Sequence, residues 1–224
     1  MADKGLFITF EGPEASGKST QAAILVERLR ASGYEVLTTR EPGGTLTGEA
    51  IRGILQHDTA GEAPCPESET LLFEASRAQL VRNVIRPALQ RGAVVVCDRF
   101  ADSTTAYQGY GRGFDIEQVL SMNAFALGGT NPDVTILIEI DVKEGFERLE
   151  KRNRKEGAGF DRMERESLDF HEKVNAGYFE LAKRFPERYE IVNGHHTEDS
   201  VHKAIWQIIE PKLPNITVTD QGAR

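Results

Sequence analysis

Five short apolar runs punctuate the chain: Leu6–Phe10, Tyr34–Thr39, Ala93–Cys97, Val134–Ile140 and Tyr189–Asn193. Each is bounded by turn-forming or charged residues and reads as a β-strand. The third, Ala93-Val94-Val95-Val96-Cys97, has no polar position, which predicts burial on both faces, as in a parallel sheet covered by helices. Between the runs the apolar spacing shifts to that of helices. Ala22–Leu29, Glu67–Gln90, Ile116–Leu127, Val142–Arg152, Ser167–Arg184 and Thr197–Leu213 follow it, and Thr45–His57 does so weakly. Within the long Glu67–Gln90 segment the stripe runs through Leu71, Leu72, Ala75, Ala78, Gln79 and Val81-Arg82.

The breakers fall where such a pattern needs them. Gly33 is placed to end the first helix in a left-handed conformation. Pro87 is expected to kink the long helix or split off its last turn. A helix starting at Asp102 is expected to reach Gln108 and to break at Gly109-Tyr110-Gly111-Arg112-Gly113. Asn153–Phe160 is polar, charged and glycine-containing, and reads as a mobile loop. Strands alternate with helices and nothing repeats at a fixed period. The expected fold is therefore α/β, a doubly wound five-stranded parallel sheet flanked by helices. It forms a single domain over residues 1–213, with 214–224 as a flexible tail.

In such a sheet ligands bind beyond the carboxyl ends of the strands. The residues that follow the runs are chemically rich. After the first comes Gly12-Pro13-Glu14-Ala15-Ser16-Gly17-Lys18-Ser19-Thr20, after the second Arg40-Glu41, after the third Asp98-Arg99, and Asn193 closes the fifth. The first of these has the glycine and Lys-Ser spacing of a phosphate loop, in the order strand, glycine turn, helix. Gly12 and Gly17 let the backbone aim several N–H groups at one point, and the helix N-terminus adds partial positive charge. Lys18 supplies a full charge for β- and γ-phosphates, and the Ser19 hydroxyl suits Mg²⁺. Asp98 can hold the same ion, directly or through water, and Arg99 offers a planar fork to a second phosphate.

Composition narrows the classes. The 224 residues are 39% hydrophobic and 28% charged, an ordinary globule without a long apolar run, and the N-terminus has no secretory apolar region. The formal net charge of −8 argues against a nucleic-acid partner, which selects for a basic surface. Cys65 and Cys97 fit neither a disulfide framework nor a zinc site, so a reducing, cytoplasmic setting is expected. His195-His196 is a pair in a loop, expected to be solvent-exposed. No Asn-Lys-x-Asp guanine-reading motif, His-Glu-x-x-His motif or Ser-His-Asp order is present.

Two features stay open on the residues alone. Arg148, Lys151, Arg152, Arg154, Lys155 and Arg162 can form a solvated charged face, or a lid that brings cations to a transferring phosphoryl and keeps water out. Phe73 and Arg77 lie one helical turn apart and can be core, or a stacking face with a donor beside it for a nucleobase.

Several blocks in order carry a resemblance. Thr39-Arg40-Glu41-Pro42-Gly43-Gly44, Leu72-Phe73-Glu74-Ala75-Ser76-Arg77, Asp98-Arg99-Phe100, Ser103–Gly113 and Asp161-Arg162-Met163-Glu164 are similar to those of the thymidylate kinase family. The likeness runs from about Leu6 to Leu213. It implies a phosphate-loop NTPase fold with a mobile lid at about 152–162, conversion of dTMP to dTDP with ATP and Mg²⁺ for dTTP synthesis, and a homodimer. It implies that Phe73 stacks on thymine, Arg77 bonds its carbonyl, and Arg99 with Arg40 holds the dTMP phosphate. Ser103, Thr104 and Gln108 would lie near the base and sugar, Tyr107 would crowd the 2′ position, and Glu14 would contact the sugar 3′-hydroxyl or the metal-linked network. The phosphate loop holds no base besides Lys18, as in the family's bacterial type, so Arg152 and Arg154 become the lid arginines expected at the phosphoryl. Lys155–Phe160 lengthens the lid, Pro13 stiffens the loop, and Thr105 stands where some members have Gln. Two other readings stay open: a deoxynucleoside or other monophosphate kinase, and an ATP-driven switch or nucleic-acid motor built on the same loop.

Overall fold

The computed structural model describes residues 5–57, 59–157 and 159–215. Five parallel strands form one sheet, β1 (Phe7–Glu11), β2 (Val36–Arg40), β3 (Val94–Asp98), β4 (Val134–Glu139) and β5 (Tyr189–Asn193), in the order β2-β3-β1-β4-β5. The helices between them are α1 (Lys18–Ala31), α2 (Leu46–His57), α3 (Pro66–Leu80), α4 (Arg86–Gln90), α5 (Ala101–Thr104), α6 (Ile116–Leu127), α7 (Val142–Glu156), α8 (Leu168–Arg184) and α9 (Glu198–Ile209).

Strand alternation builds a core on each face of the sheet. Ile8 and Phe10 point to one side with Val94, Val96, Ile136 and Ile138, under Leu25 and Leu29 of α1 and Ile205, Trp206 and Ile209 of α9. Phe7, Val95 and Cys97 point to the other, under Leu80, Val81, Ile85 and Leu89. Beyond β4 that second face continues as Leu137, Val174, Tyr178 and Leu181, with α8 above it. The all-apolar β3 run is buried throughout, and the Cys97 thiol is free within it.

A last turn is set off at Pro87, as expected: α4 carries the proline in its first turn and joins α3 through a π-helical stretch, Val81–Ile85. Along α3 itself, however, the apolar stripe is not the buried face. Leu71 is 59% exposed, whereas Glu74, Ser76 and Arg77 are buried, because this helix turns a polar side inward toward a site. The expected break falls within Gly109–Gly113, though later than its first glycine: after α5 the helix continues as a second π-helical stretch, Thr105–Gly111, and Gly113 follows at φ 83°. Within the stretch, Gly109 and Gly111 serve packing rather than termination. A Cβ on Gly111 would lie 2.6 Å from the Phe170 ring of α8. α7 also runs on through Asn153–Glu156, where a loop was expected, because Asn153 is buried and Gly157 supplies the left-handed stop. The last helix ends at Ile209 and passes into a 3₁₀ turn, Glu210–Lys212. Of the expected flexible tail, residues 216–224 lie outside the described ones.

Candidate active site

The strand register brings three chemical groups to one level. Phe10 pairs with Asp98, and Arg40 pairs with Asp98 on the other side, so Glu11, Asp98 and Arg40 end adjacent strands together. Leaving β1, the chain turns at Gly12, whose φ of 137° suits glycine alone and where a Cβ would meet the Ile138 carbonyl at 2.4 Å. Ala15 follows at φ 50° and Gly17 at φ 98°. Gly17 then precedes α1 with no side chain bonded to the first helical amides, which leaves the α1 N-terminus open to an anion.

Lys18 is folded back over this loop, donating to the carbonyls of Gly12 at 3.1 Å and Pro13 at 2.6 Å and to Ser16 Oγ at 3.3 Å. Burial, followed by the nearby Arg99 charge, lowers its pKa to about 8. Ser19 donates its hydroxyl to the Asp98 carboxylate, so the two oxygen ligands proposed for Mg²⁺ meet at the loop.

Arg99 sits in the left-handed region, φ 63°, a strained conformation for an arginine. Its Nη2 donates to Glu14 Oε1 at 2.8 Å, and Tyr107 donates to the same oxygen at 2.5 Å. Burial works to raise the Glu14 pKa, but Arg99, Lys18 and the Tyr107 hydroxyl outweigh it and bring it down to about 2. Glu14 is therefore an anion at any working pH.

Arg77 is fully buried, and the five N–H groups of its guanidinium all face protein acceptors. Nε donates to Glu41 at 2.9 Å, and Nη2 to Glu41 at 2.6 Å, Thr104 Oγ1 at 2.9 Å and the Phe100 carbonyl at 3.3 Å. Nη1 donates to Asn123 at 2.8 Å and is ion-paired with Glu74 at 3.0 Å. One cation thus stands between two carboxylates. Burial, offset only in part by Arg77, raises Glu41 to about 7 and raises Glu74 as well.

A cavity of about 520 Å³ joins these groups. Ala15–Thr20, Glu14 and Asp98 line one end, and Phe73, Arg77, Thr104 and Gln108 line the other, with Arg99, Ser103, Tyr107 and Arg40 also on the wall. From α7 come Arg148 and Arg152, one turn apart, whereas Arg154 is exposed and does not line the cavity. Gly12 and Pro13, expected at the phosphates, do not line it; their carbonyls accept from Lys18. Arg162 is turned away to Glu69, at 2.6 Å, and to the Leu55 carbonyl. Gln108 also donates to Glu69. Asp141, Glu144 and His195 bring ligand atoms within 4.8 Å of one another at the surface, but Arg148 and His195 already hold the Glu144 carboxylate.

Sequence reasoning passed over Glu11, Glu69, Arg52, Gln56 and Tyr178. Glu11 had a readable signal, a charge continuing an apolar strand straight into a glycine turn. Tyr178 had none, since it looks like any core aromatic of an amphipathic helix.

This arrangement is matched by known proteins. The family described as Thymidylate kinase matches residues 10–205. The chain belongs to the thymidylate kinase family. It is 46% identical over 222 residues to the thymidylate kinase of Roseiflexus sp. (strain RS-1), covering 95% of this chain and 96% of that protein. The identity to the thymidylate kinase of Deinococcus radiodurans is 44% over 209 residues, covering 93% and 98%. Among solved structures, the thymidylate kinase of Ehrlichia chaffeensis superposes with a TM-score of 0.74 at 32% identity, covering 92% of this chain and 99% of the other. As a member of this family the chain is a nucleoside monophosphate kinase, and its sheet and phosphate loop are those of the family.

Proposed function

We propose that the cavity seats two nucleotides head to head, and that the enzyme transfers the γ-phosphoryl of ATP to dTMP, giving dTDP for dTTP synthesis. The observation that carries this is the continuity of one cavity from Lys18 and Asp98 to Phe73 and Arg77, with Arg99 between. ATP would lie on Gly12–Thr20 with its phosphates at the α1 amides and Lys18. Thymine would lie against Phe73, and the dTMP phosphate would meet Arg99 and Arg40. That phosphate is already anionic near neutral pH, so the acceptor needs no strong base, and catalysis is positioning and charge neutralisation. Ser19 and Asp98 are hard oxygen donors that suit Mg²⁺, which when bound neutralises developing charge on the phosphates.

Of the two α7 arginines on the cavity wall, Arg148 and Arg152, we assign Arg152, at the start of the lid at about 152–162, to the transferring phosphoryl. Arg77 can donate to a thymine carbonyl only by sharing an N–H now given to the protein, the longest being the 3.3 Å bond to the Phe100 carbonyl. A homodimer is consistent with Leu71, 59% exposed on α3, and Phe125, 89% exposed on α6, since these two helices pack on each other. Both cysteines are free thiols, in keeping with a reducing cytoplasm.

An ADP-release assay with ATP across dTMP, dUMP, dCMP, dGMP and thymidine tests the reading. dTMP should give the highest kcat/KM and thymidine no turnover. Equal rates with dCMP or dGMP, or ATP turnover driven by DNA and indifferent to dTMP, would overturn it.

A further inference from the structure

We propose that the Tyr178 hydroxyl, with Glu11 beneath it, is a positioning group for Arg99, holding the guanidinium at the angle that meets the phosphate of the acceptor. This rests on the reading that Arg99 binds that phosphate.

The two ends of the guanidinium differ in kind. Nη2 faces Glu14, a charged side chain on the cavity wall, at the place an incoming phosphate would compete for. Nη1 is turned away from that contact and meets three neutral oxygens: the Gly12 carbonyl at 3.3 Å, Ser103 Oγ at 3.3 Å and the Tyr178 hydroxyl at 3.1 Å. Neutral acceptors hold an arginine without cancelling its charge. A carboxylate in the same place would pair with it and weaken the field offered to a phosphate.

The carboxylate is present, but one hydroxyl away. Glu11 Oε2 accepts from Ser103 Oγ at 2.6 Å and from the Tyr178 hydroxyl at 3.0 Å, while Oε1 accepts from the Phe100 amide at 2.8 Å. With both hydroxyl protons drawn to Glu11, both hydroxyl oxygens are left with lone pairs for Nη1. The two oxygens stand 2.9 Å apart, so they form one acceptor edge against the arginine. Glu11 also anchors the turn that begins with the left-handed Arg99, through the Phe100 amide.

Core packing does not explain the hydroxyl. Tyr178 is wholly buried, and phenylalanine would fill the same ring volume without the cost of burying a phenol. What the hydroxyl adds is a polar link from α8 to the turn after β3 and the end of β1. A long arginine side chain has much rotamer freedom to lose, and an anchored Nη1 removes that loss before substrate arrives.

The experiment compares Tyr178→Phe and Arg99→Ala with the wild type, measuring dissociation constants for dTMP and for thymidine by calorimetry, with kcat and melting temperature alongside. The wild type should prefer dTMP, and Arg99→Ala should erase that preference. Tyr178→Phe should lower dTMP affinity and kcat about tenfold, as losing a hydrogen bond to a charged group does. Thymidine affinity should stay as in the wild type. An unchanged ratio of dTMP to thymidine affinity in Tyr178→Phe, or a parallel loss for both ligands, would overturn the proposal. If Arg99→Ala keeps the preference for dTMP, the phosphate reading of Arg99 falls and the Tyr178 proposal with it. Ser103→Ala removes the second hydroxyl of the same edge and should move the ratio in the same direction. It keeps the proposal testable if Tyr178→Phe folds poorly.

Discussion

Replacing Glu41 by glutamine should change how stability depends on pH, and the structure supplies the size of the effect. Glu41 is 5% exposed and shares Arg77 with Glu74. With both carboxylates ionised, one negative charge is left over on side chains less than a tenth exposed. Its Oε1 finds no hydrogen-bond partner among the described residues. Burial therefore lifts the Glu41 pKa from 4.5 to about 7, against the pull of Arg77. Between those two values the folded protein binds more protons than the unfolded chain, so stability falls as pH rises through that window and levels off above it. At roughly 1.4 kcal/mol per pH unit, the loss attributable to Glu41 is about 3 kcal/mol. Near pH 5 the protonated carboxyl and the glutamine amide are close in shape and charge, and the variant should be nearly as stable as the wild type. At pH 8 the variant should gain about 3 kcal/mol on the wild type, since it has no charge to bury. Glu11, also raised to about 7, is present in both proteins and cancels in the comparison. Urea denaturation of both proteins at pH 5 and pH 8 measures the four free energies. If the change with pH is the same in both, Glu41 is ionised throughout and the leftover-charge argument fails.

Three more outcomes are expected. Arg152→Ala should lower kcat about 100-fold while Arg154→Ala stays within about threefold, because only the first reaches the cavity; equal losses would show that the lid turns Arg154 inward during turnover. Tyr107→Phe removes the hydroxyl that donates to Glu14 at 2.5 Å and should raise kcat/KM for 5-methyl-UMP relative to dTMP; an unchanged ratio takes Tyr107 out of the sugar pocket. Gly111→Ala should destabilise by about 1–3 kcal/mol, read as a lower urea midpoint, since its Cβ would press on Phe170 at 2.6 Å; wild-type stability would mean that α8 yields at that point.

The strands were legible because each is an apolar run ending in a turn, and the phosphate loop because its residues are needed at fixed spacing. The convergence of Lys18, Asp98 and Arg99 followed from sheet topology alone. Where the reading went astray, tertiary packing had overridden a local signal. Gly109 and Gly111 carry the letters of a helix break, yet α8 approaches so closely that small residues are what the helix needs there. On α3 the apolar spacing through Leu71 signals a helix but not which side faces in, and the inward side is Glu74 and Arg77. No periodicity argument finds a buried ion cluster, because its members satisfy one another across elements distant in sequence: Arg77 of α3 with Glu41 after β2 and Asn123 of α6. The role of Tyr178 was invisible for the same reason.

Four arginines of the cavity wall are each paired with a carboxylate, and the exposure of each pair says which can part when, as proposed above, phosphates bind there. Arg40 lies 3.0 Å from Glu49, Arg99 2.8 Å from Glu14, Arg152 3.2 Å from Glu164 and Arg77 2.6 Å from Glu41. Guanidiniums crowded on one wall repel, and these carboxylates offset the repulsion while keeping the side chains extended. A phosphate can take an arginine from a carboxylate only if the released carboxylate finds water or another donor. Glu49 is 44% exposed and can be rehydrated in place. Glu14, at 17%, keeps the Tyr107 donor when Arg99 leaves, and Glu164, at 10%, keeps the Asp161 amide when Arg152 leaves. Glu41, its side chain 3% exposed, accepts side-chain hydrogen bonds from Arg77 alone among the described residues. Parting that pair would leave the buried Glu41 carboxyl without its Arg77 donors, at a cost of about 1–3 kcal/mol for each bond left unmade. On the proposed function, phosphate recognition is an exchange of partners at Arg40, Arg99 and Arg152, while the base meets a surface that Arg77 holds fixed. Discrimination among bases then comes from misfit against a rigid wall, and the phosphate contributes affinity to whichever monophosphate fits.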